Sequence, residues 1–188
     1  MHDVLQSLGF NVRTLVGRVV NNKDIDTPRT HRVTLLEFDD EKYLVDVGFG
    51  AMCPNKPIKI DTTKSIEEEY RVIQNSKDEY QIELLTKNGY FTLYRFNLVE
   101  YTDSDCIMGN FYSSQHPKAV FVNNFVASLI LPNITLSLRN ARYHRISKNS
   151  TEIITLNDYM QLYLILKDDF NIPISKEDSE SIFKSISK

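Results

Sequence analysis

Residues 30–57 hold two short runs of alternating side chains that must fold back on one another, and this constrains the chain more than any other stretch. Val33 and Leu35 alternate with Thr34 and Leu36 along residues 32–38, Asp39-Asp40-Glu41 supplies a turn, and residues 42–47 return, so the pattern predicts a β-hairpin. On the returning arm Tyr43, Val45 and Val47 share one face while Leu44 and Asp46 share the other, which sets a carboxylate among apolar neighbours. A half-buried carboxylate requires a partner. His31, at the mouth of the facing arm, can provide one: a ring N–H donates to Asp46, and the other nitrogen is free to act as a base. Taken only as a pair, Asp46 closing a strand and His31 lying exposed is the ordinary reading, because single His and Asp residues are common.

The surrounding chain has the same β character. Residues 12–20, 70–73, 80–85 and 90–96 read as strands, separated by the polar segments 21–26 and 75–78 and by Lys87-Asn88-Gly89, in which Asn-Gly suits the positive φ angles of a tight turn. Short strands at this spacing predict a small barrel or sandwich. Glu67-Glu68-Glu69 reads as a solvated edge. Before the strands, Val4, Leu5 and Leu8 are spaced as on a helix, with Gly9 as its stop; two turns cannot offset the cost of nucleation alone, so this apolar face must dock.

After residue 100 the pattern changes. Thr102 or Asp103 can cap a helix running toward Asn110, and residues 110–117 then break it and link two parts. Residues 121–131, 134–138 and 142–147 alternate like a three-stranded meander. Thr155-Leu156-Asn157-Asp158 resembles a capping box for a helix with the stripe Leu156, Tyr159, Met160, Tyr163, Leu166 and Phe170, which Ile172-Pro173-Ile174 ends. A last amphipathic turn is predicted around Ile182, Phe183 and Ile186.

Charge and cysteine content narrow the function. A net charge of −3, with Lys and Arg scattered, leaves no electrostatic footprint for nucleic acid or an anionic membrane. No apolar run has the length of a bilayer span, and residues 1–10 do not read as a signal peptide, so a cytoplasmic protein is expected. Cys53 and Cys106 form neither a disulfide framework nor a metal spacing, and no metal is expected. Cys53 would serve as a nucleophile only if its loop folded back toward His31.

Thr30-His31, followed fifteen positions later by Asp46-Val47-Gly48-Phe49-Gly50 and then by Pro54-x-x-Pro57-Ile58, resembles the arylamine N-acetyltransferase family. The resemblance implies an α+β fold: an antiparallel β-barrel over residues 11–100, a linking helix and loop over 101–117, and a small α/β lid over 118–188. It implies a papain-like Cys-His-Asp triad in which His31 is the base and Asp46 the orienting carboxylate, with Phe49 lining the acceptor pocket. Tyr112-Ser113-Ser114-x-x-Pro117-x-x-x-Phe121 is similar to the segment that contacts coenzyme A, which gives Tyr112 that role, with Thr27 as a second contact. Pro28 departs from the glycine found there in some members.

Leu5-x-x-Leu8-Gly9-Phe10 resembles the end of the family's cysteine-bearing helix, yet no Arg-Gly-Gly-x-Cys-x-Glu motif precedes His31 in this sequence. The resemblance therefore implies a truncated member, with residues 1–10 the end of a helix from a missing helical domain. Two readings follow. One is an acetyl-CoA-dependent transferase acting on an arylamine or arylhydrazine, inactive as an isolated chain and completed by a separate N-terminal segment or by self-association. The other is a non-catalytic relic of the fold that binds coenzyme A or a protein partner.

Overall fold

The computed structural model describes residues 1–60 and 68–187. The chain divides into two compact units, residues 1–113 and 114–188. The first begins with helix α1 (His2–Ser7), which Gly9 terminates at φ +85°. Seven strands follow: β1 (Asn11–Val19), β2 (Arg29–Phe38), β3 (Glu41–Val45), β4 (Ile58–Lys59), β5 (Tyr70–Ser76), β6 (Glu79–Thr86) and β7 (Gly89–Phe96). Among the described residues they form one antiparallel sheet in the order β4-β3-β2-β1-β7-β6-β5, a nearly closed barrel. Leu15, Val33, Leu35, Leu44, Ile82, Leu93, Tyr94 and Phe96 fill its interior. Of the acidic run, Glu68 and Glu69 are exposed and Glu67 lies outside the described residues.

Hairpin β2–β3 turns through Asp39 and Asp40, both with positive φ (51° and 60°), a two-residue loop whose twist matches that of the strands. β2 starts earlier than the alternation indicated, at Arg29, and β3 ends at Val45. Residues 33–36 are buried on both faces, so the alternation of apolar and polar residues does not correspond to an inside and an outside there. The Asn88-Gly89 turn also differs from expectation. Only Gly89 is left-handed (φ +97°), and Thr86 pairs with Gly89, so Lys87 and Asn88 make an ordinary turn and glycine takes the position after it.

Helix α2 (Asp103–Gln115) runs five residues past Asn110, because residues 110–115 contain no proline or glycine; it stops before His116-Pro117. The backbone N–H and hydroxyl of Thr102 both donate to Asp105 at its start (2.8 and 2.7 Å). At Gly109 the helix lies against β2, where an added Cβ would stand 3.2 Å from the Arg29 carbonyl oxygen.

In the second unit, residues 120–123 form a short helix α3 rather than the start of a strand. Strands β8 (Val126–Ile130), β9 (Ile134–Arg139), β10 (Arg142–Ser147) and β11 (Thr151–Thr155) make a four-stranded antiparallel sheet, one strand more than the meander expected. The cap lies one turn later: Asp158 accepts from the Gln161 N–H (2.8 Å), and Gln161 accepts from the Asn157 N–H (2.9 Å). Helix α4 (Tyr159–Leu164) then widens into a π-type turn at residues 165–169. Leu162 and Leu166 are its buried residues, with Leu156 before it and Phe170 after it also buried; Tyr159, Met160 and Tyr163 are only half-buried, and Leu162 is absent from the predicted stripe. The last turn is a full helix, α5 (Lys176–Ile186), capped by Ser175. Among the described residues no helix is long and apolar enough to cross a membrane.

The two-residue turn offers a direct check. Asn and Gly suit positive φ better than two aspartates do, so Asp39→Asn with Asp40→Gly should stabilise the protein by about 0.5–1 kcal/mol. Urea denaturation should show the higher midpoint with an unchanged slope.

Candidate active site

Two irregularities in the sheet aim the side chains at one end of the barrel. Gly17 of β1 pairs with His31, but Arg18 pairs with Arg29, so Thr30 is an extra residue in β2. On β7, Ile82 pairs with Tyr94 while Glu83 pairs with Thr92, which leaves Leu93 extra and turns both Leu93 and Tyr94 toward the core. Beyond β3, the hairpin register carries Asp46 alongside Val33, two residues from His31 and on the same face.

The result is a carboxylate with several donors. His31 Nε2 lies 2.7 Å from Asp46 Oδ2, and the Tyr94 hydroxyl donates to the same oxygen at 2.9 Å. The Gly48 N–H donates to Oδ1 at 2.9 Å, closing a turn that Asp46 makes with its own chain. Cys53 donates to the Asp46 carbonyl (3.3 Å), with Oδ1 more distant at 3.9 Å. Asp46 is 5% exposed. Burial by itself pushes its carboxyl up, but hydrogen bonding to His31, attraction to that ring, and the Gly48 and Tyr94 donors together hold it below the usual carboxylate range.

With Nε2 engaged by Asp46, His31 Nδ1 makes no hydrogen bond among the described residues. Tyr94 and Phe49 flank the imidazole edge-on, with ring centroids at 4.7 and 5.1 Å. Gly17 makes room for this: a Cβ there would stand 3.0 Å from Tyr94 Cδ2 and 3.1 Å from the Arg95 carbonyl oxygen. The arrangement can take a proton at Nδ1 and stabilise the resulting imidazolium.

Neither cysteine of the chain is set up as a nucleophile for this base. Cys53 points at Asp46, and burial, reinforced by that carboxylate, pushes its thiol up to about 11. Cys106 lies on α2, and burial raises its thiol too. Of the remaining expected residues, Thr27 donates its hydroxyl to the Val19 carbonyl (2.9 Å). Tyr112 lines a cleft of about 310 Å³ with Pro28, Arg29, Thr30 and Tyr101. Thus His31, Asp46 and Phe49 form one cluster, Tyr112 belongs to the separate cleft, and Thr27 ties its loop to β1. Tyr94 and Gly17 escaped the sequence reading. Regular alternation along β7 does not single out Tyr94, and its one signal was a phenol in a core strand, which needs a hydrogen-bond partner. Among the described residues no group of three or more His, Cys, Asp or Glu is placed to hold a metal.

A family profile described as N-acetyltransferase matches residues 1–179. The chain is 35% identical over 177 residues to the arylamine N-acetyltransferase of Escherichia coli K12, covering 91% of this chain and 63% of that protein. It is 30% identical over 179 residues to the arylamine N-acetyltransferase / N-hydroxyarylamine O-acetyltransferase of Salmonella typhimurium, with the same coverage of 91% and 63%. The structure superposes on that of the Mycobacterium marinum arylamine N-acetyltransferase in complex with CoA with a TM-score of 0.89, at 27% identity, covering 98% of this chain and 72% of that one. The chain therefore spans just under two thirds of the length of these curated relatives.

The depressed Asp46 carboxyl yields a pH signature. A carboxyl whose pKa is lowered on folding contributes stability above its unfolded value, about 4, and loses that contribution as pH falls through the folded value. Asp46→Asn should cost roughly 2–4 kcal/mol at pH 7, since it removes a buried carboxylate that accepts three hydrogen bonds. Urea denaturation at stepped pH should show the difference between wild type and variant shrinking below about pH 4.

Proposed function

The chain belongs to the arylamine N-acetyltransferase family, and from that premise we propose that its residues supply the base and the orienting carboxylate of a Cys-His-Asp triad. The triad transfers an acetyl group from acetyl-CoA to an arylamine or arylhydrazine. One observation carries this reading: the His31–Asp46 hydrogen bond at 2.7 Å engages Nε2 and leaves Nδ1 to meet a thiol. Asp46 holds the ring in that tautomer, and Tyr94 and Gly48 hold Asp46.

The chemistry runs in two stages. His31 Nδ1 takes the proton of a cysteine thiol, and the thiolate attacks the thioester carbonyl of acetyl-CoA. The coenzyme leaves as its thiol once protonated, and the acetyl group rests on the cysteine. The amine then attacks this second thioester, the cysteine leaves, and the proton lost by the amine passes through His31. Phe49, packed edge-on to the imidazole, forms an apolar wall for the aromatic acceptor. Tyr112, in its cleft, and the Thr27 loop contact the coenzyme.

On this reading neither Cys53 nor Cys106 is the nucleophile of the triad. Cys53 is bonded to Asp46 rather than to Nδ1, and its raised pKa keeps it a thiol at neutral pH. Cys106 sits on helix α2, outside the His31–Asp46 cluster, and burial raises its thiol. The 188-residue chain by itself is consequently inactive.

An assay of acetyl transfer from acetyl-CoA to an arylhydrazine tests this. Loss of the nucleophile from such a unit costs on the order of 10⁶ in turnover, so the chain as given should show no transfer. Fusing to it a helical segment that carries the Arg-Gly-Gly-x-Cys motif should produce transfer with ping-pong kinetics. That activity should vanish in His31→Gln and Asp46→Asn and persist in Cys53→Ser, which retains a hydroxyl donor. Transfer by the unfused chain, abolished by Cys53→Ser, would overturn the assignment and make Cys53 the nucleophile.

A further inference from the structure

The four-stranded sheet of the second unit ends in β8 on one side and β11 on the other. An edge strand offers unpaired N–H and C=O groups to any strand that meets it, and proteins blunt such edges with charge, proline or a bulge. β11 is blunted: Glu152 shares a face with Ile154, which packs on the core, so a carboxylate stands where a pairing strand would bring an apolar side chain. β8 carries no such guard. Its residues, Val126-Ala127-Ser128-Leu129-Ile130, include no charge, proline or glycine, and its pairing with β9 runs without a register break.

The register fixes which backbone groups of β8 are open. The Leu131 N–H donates to the Ile134 carbonyl and the Asn140 N–H to the Phe125 carbonyl, so residues 125 and 131 turn their hydrogen-bonding groups toward β9. That direction alternates along an antiparallel ladder, so Ala127 and Leu129 also face β9, while Val126, Ser128 and Ile130 direct theirs outward. Among the described residues nothing pairs with that edge. The side chains alternate in the same step. Val126, Ser128 and Ile130 are exposed, whereas Ala127 and Leu129 pack on the core of Leu136, Leu138 and Tyr143 and remain half-buried beside the open edge.

We propose that β8 is an interface for a second copy of this chain, the two β8 strands pairing antiparallel about a two-fold axis at Ser128. The strand matches its own rotated image, and this selects a second copy over an unrelated strand. Rotation sets Val126 of each copy opposite Ile130 of the other, Ser128 opposite Ser128, and Ala127 opposite Leu129. The residues with outward-facing backbone then form the hydrogen-bonded pairs, each exchanging two bonds. On the exposed face β-branched Val and Ile meet. On the core face Ala127 and Leu129 of each copy cover those of the other, and no charge is taken out of water. Pairing of β8 with β11 of another copy would instead bring Glu152 to the apolar face of β8, and it would extend from chain to chain without closing. Two strands of this length make a small interface, below about 1,200 Å², so the dimer is reversible and grows with concentration.

Sedimentation velocity of the full chain from micromolar to millimolar concentration tests this. The wild type should move from monomer toward dimer. Ser128→Lys sets like charges face to face across the axis and should weaken association about fivefold. Ser128→Pro should weaken it more, because it deletes two interchain hydrogen bonds; the free chain tolerates it, since the N–H removed points outward at an edge. Circular dichroism should match the wild type for both variants. Ile153→Lys, on the opposite edge, should leave association unchanged. With Cys53 and Cys106 replaced by serine, Ser128→Cys should form an interchain disulfide in glutathione buffer, because facing residues in such a pair have Cα atoms about 5.5 Å apart. A wild-type chain that stays monomeric at millimolar concentration overturns the proposal. So does a dimer that survives both Ser128 variants, or one that Ile153→Lys abolishes, which would place the interface at β11.

Discussion

The buried carboxylate of Asp46 is the constraint that the rest of the barrel end is built to meet. Removing such a group from water costs several kcal/mol, and the cost must be offset by hydrogen bonds that favour the charged form. Three come from different parts of the chain: the His31 ring from β2, the Tyr94 hydroxyl from β7 and the Gly48 N–H from the turn after Asp46. With those donors the carboxyl stays ionised despite burial. The same bonds that make the charge tolerable fix the imidazole, so stability and chemistry are met by one network.

That network depends on backbone irregularity rather than on regular strands. The extra residue at Thr30 offsets His31 from Arg29, and the bulge at Leu93 lets both Leu93 and Tyr94 face the core while Arg95 stays outside. Gly17 removes the one side chain that would collide with the Tyr94 ring. On the outer side of the same strands Arg18 lies in register with Arg29 and Arg95, each tied to a different part of the chain.

Much of this was legible in the residues because the signals are local. The alternation of residues 32–38, the Asp39-Asp40 turn and the short return to Asp46 specify a hairpin without reference to anything distant. Strands of that length and spacing pointed to a barrel or a sandwich, and the family resemblance singled out the barrel and the α+β class. What escaped was non-local or masked by a competing signal. Tyr94 reaches Asp46 across forty-eight positions, through a bulge that no pattern of period two reveals. β11 is hard to see because Thr151, Glu152 and Ile153 are all exposed, so its five residues carry no buried stripe. Leu162 was passed over for the Tyr and Met residues beside it, although packing selects the side chain that lies closest to the sheet. Helix α2 outran its expected end because Asn, Ser and Gln near its last turns are weak breakers compared with the proline that follows.

The account turns on which nitrogen of His31 carries the proton. An acceptor carboxylate at Nε2 requires a donor there, and in the neutral ring Nδ1 is then bare. Two-dimensional proton–nitrogen NMR on ring-labelled histidine reads this directly. A neutral His31 with a protonated Nε2 and an unprotonated Nδ1, converting on Asp46→Asn to a mixture of tautomers, is the predicted result. A wild-type His31 protonated at Nδ1 alone would contradict it, because the nitrogen left to accept a proton would then face Asp46.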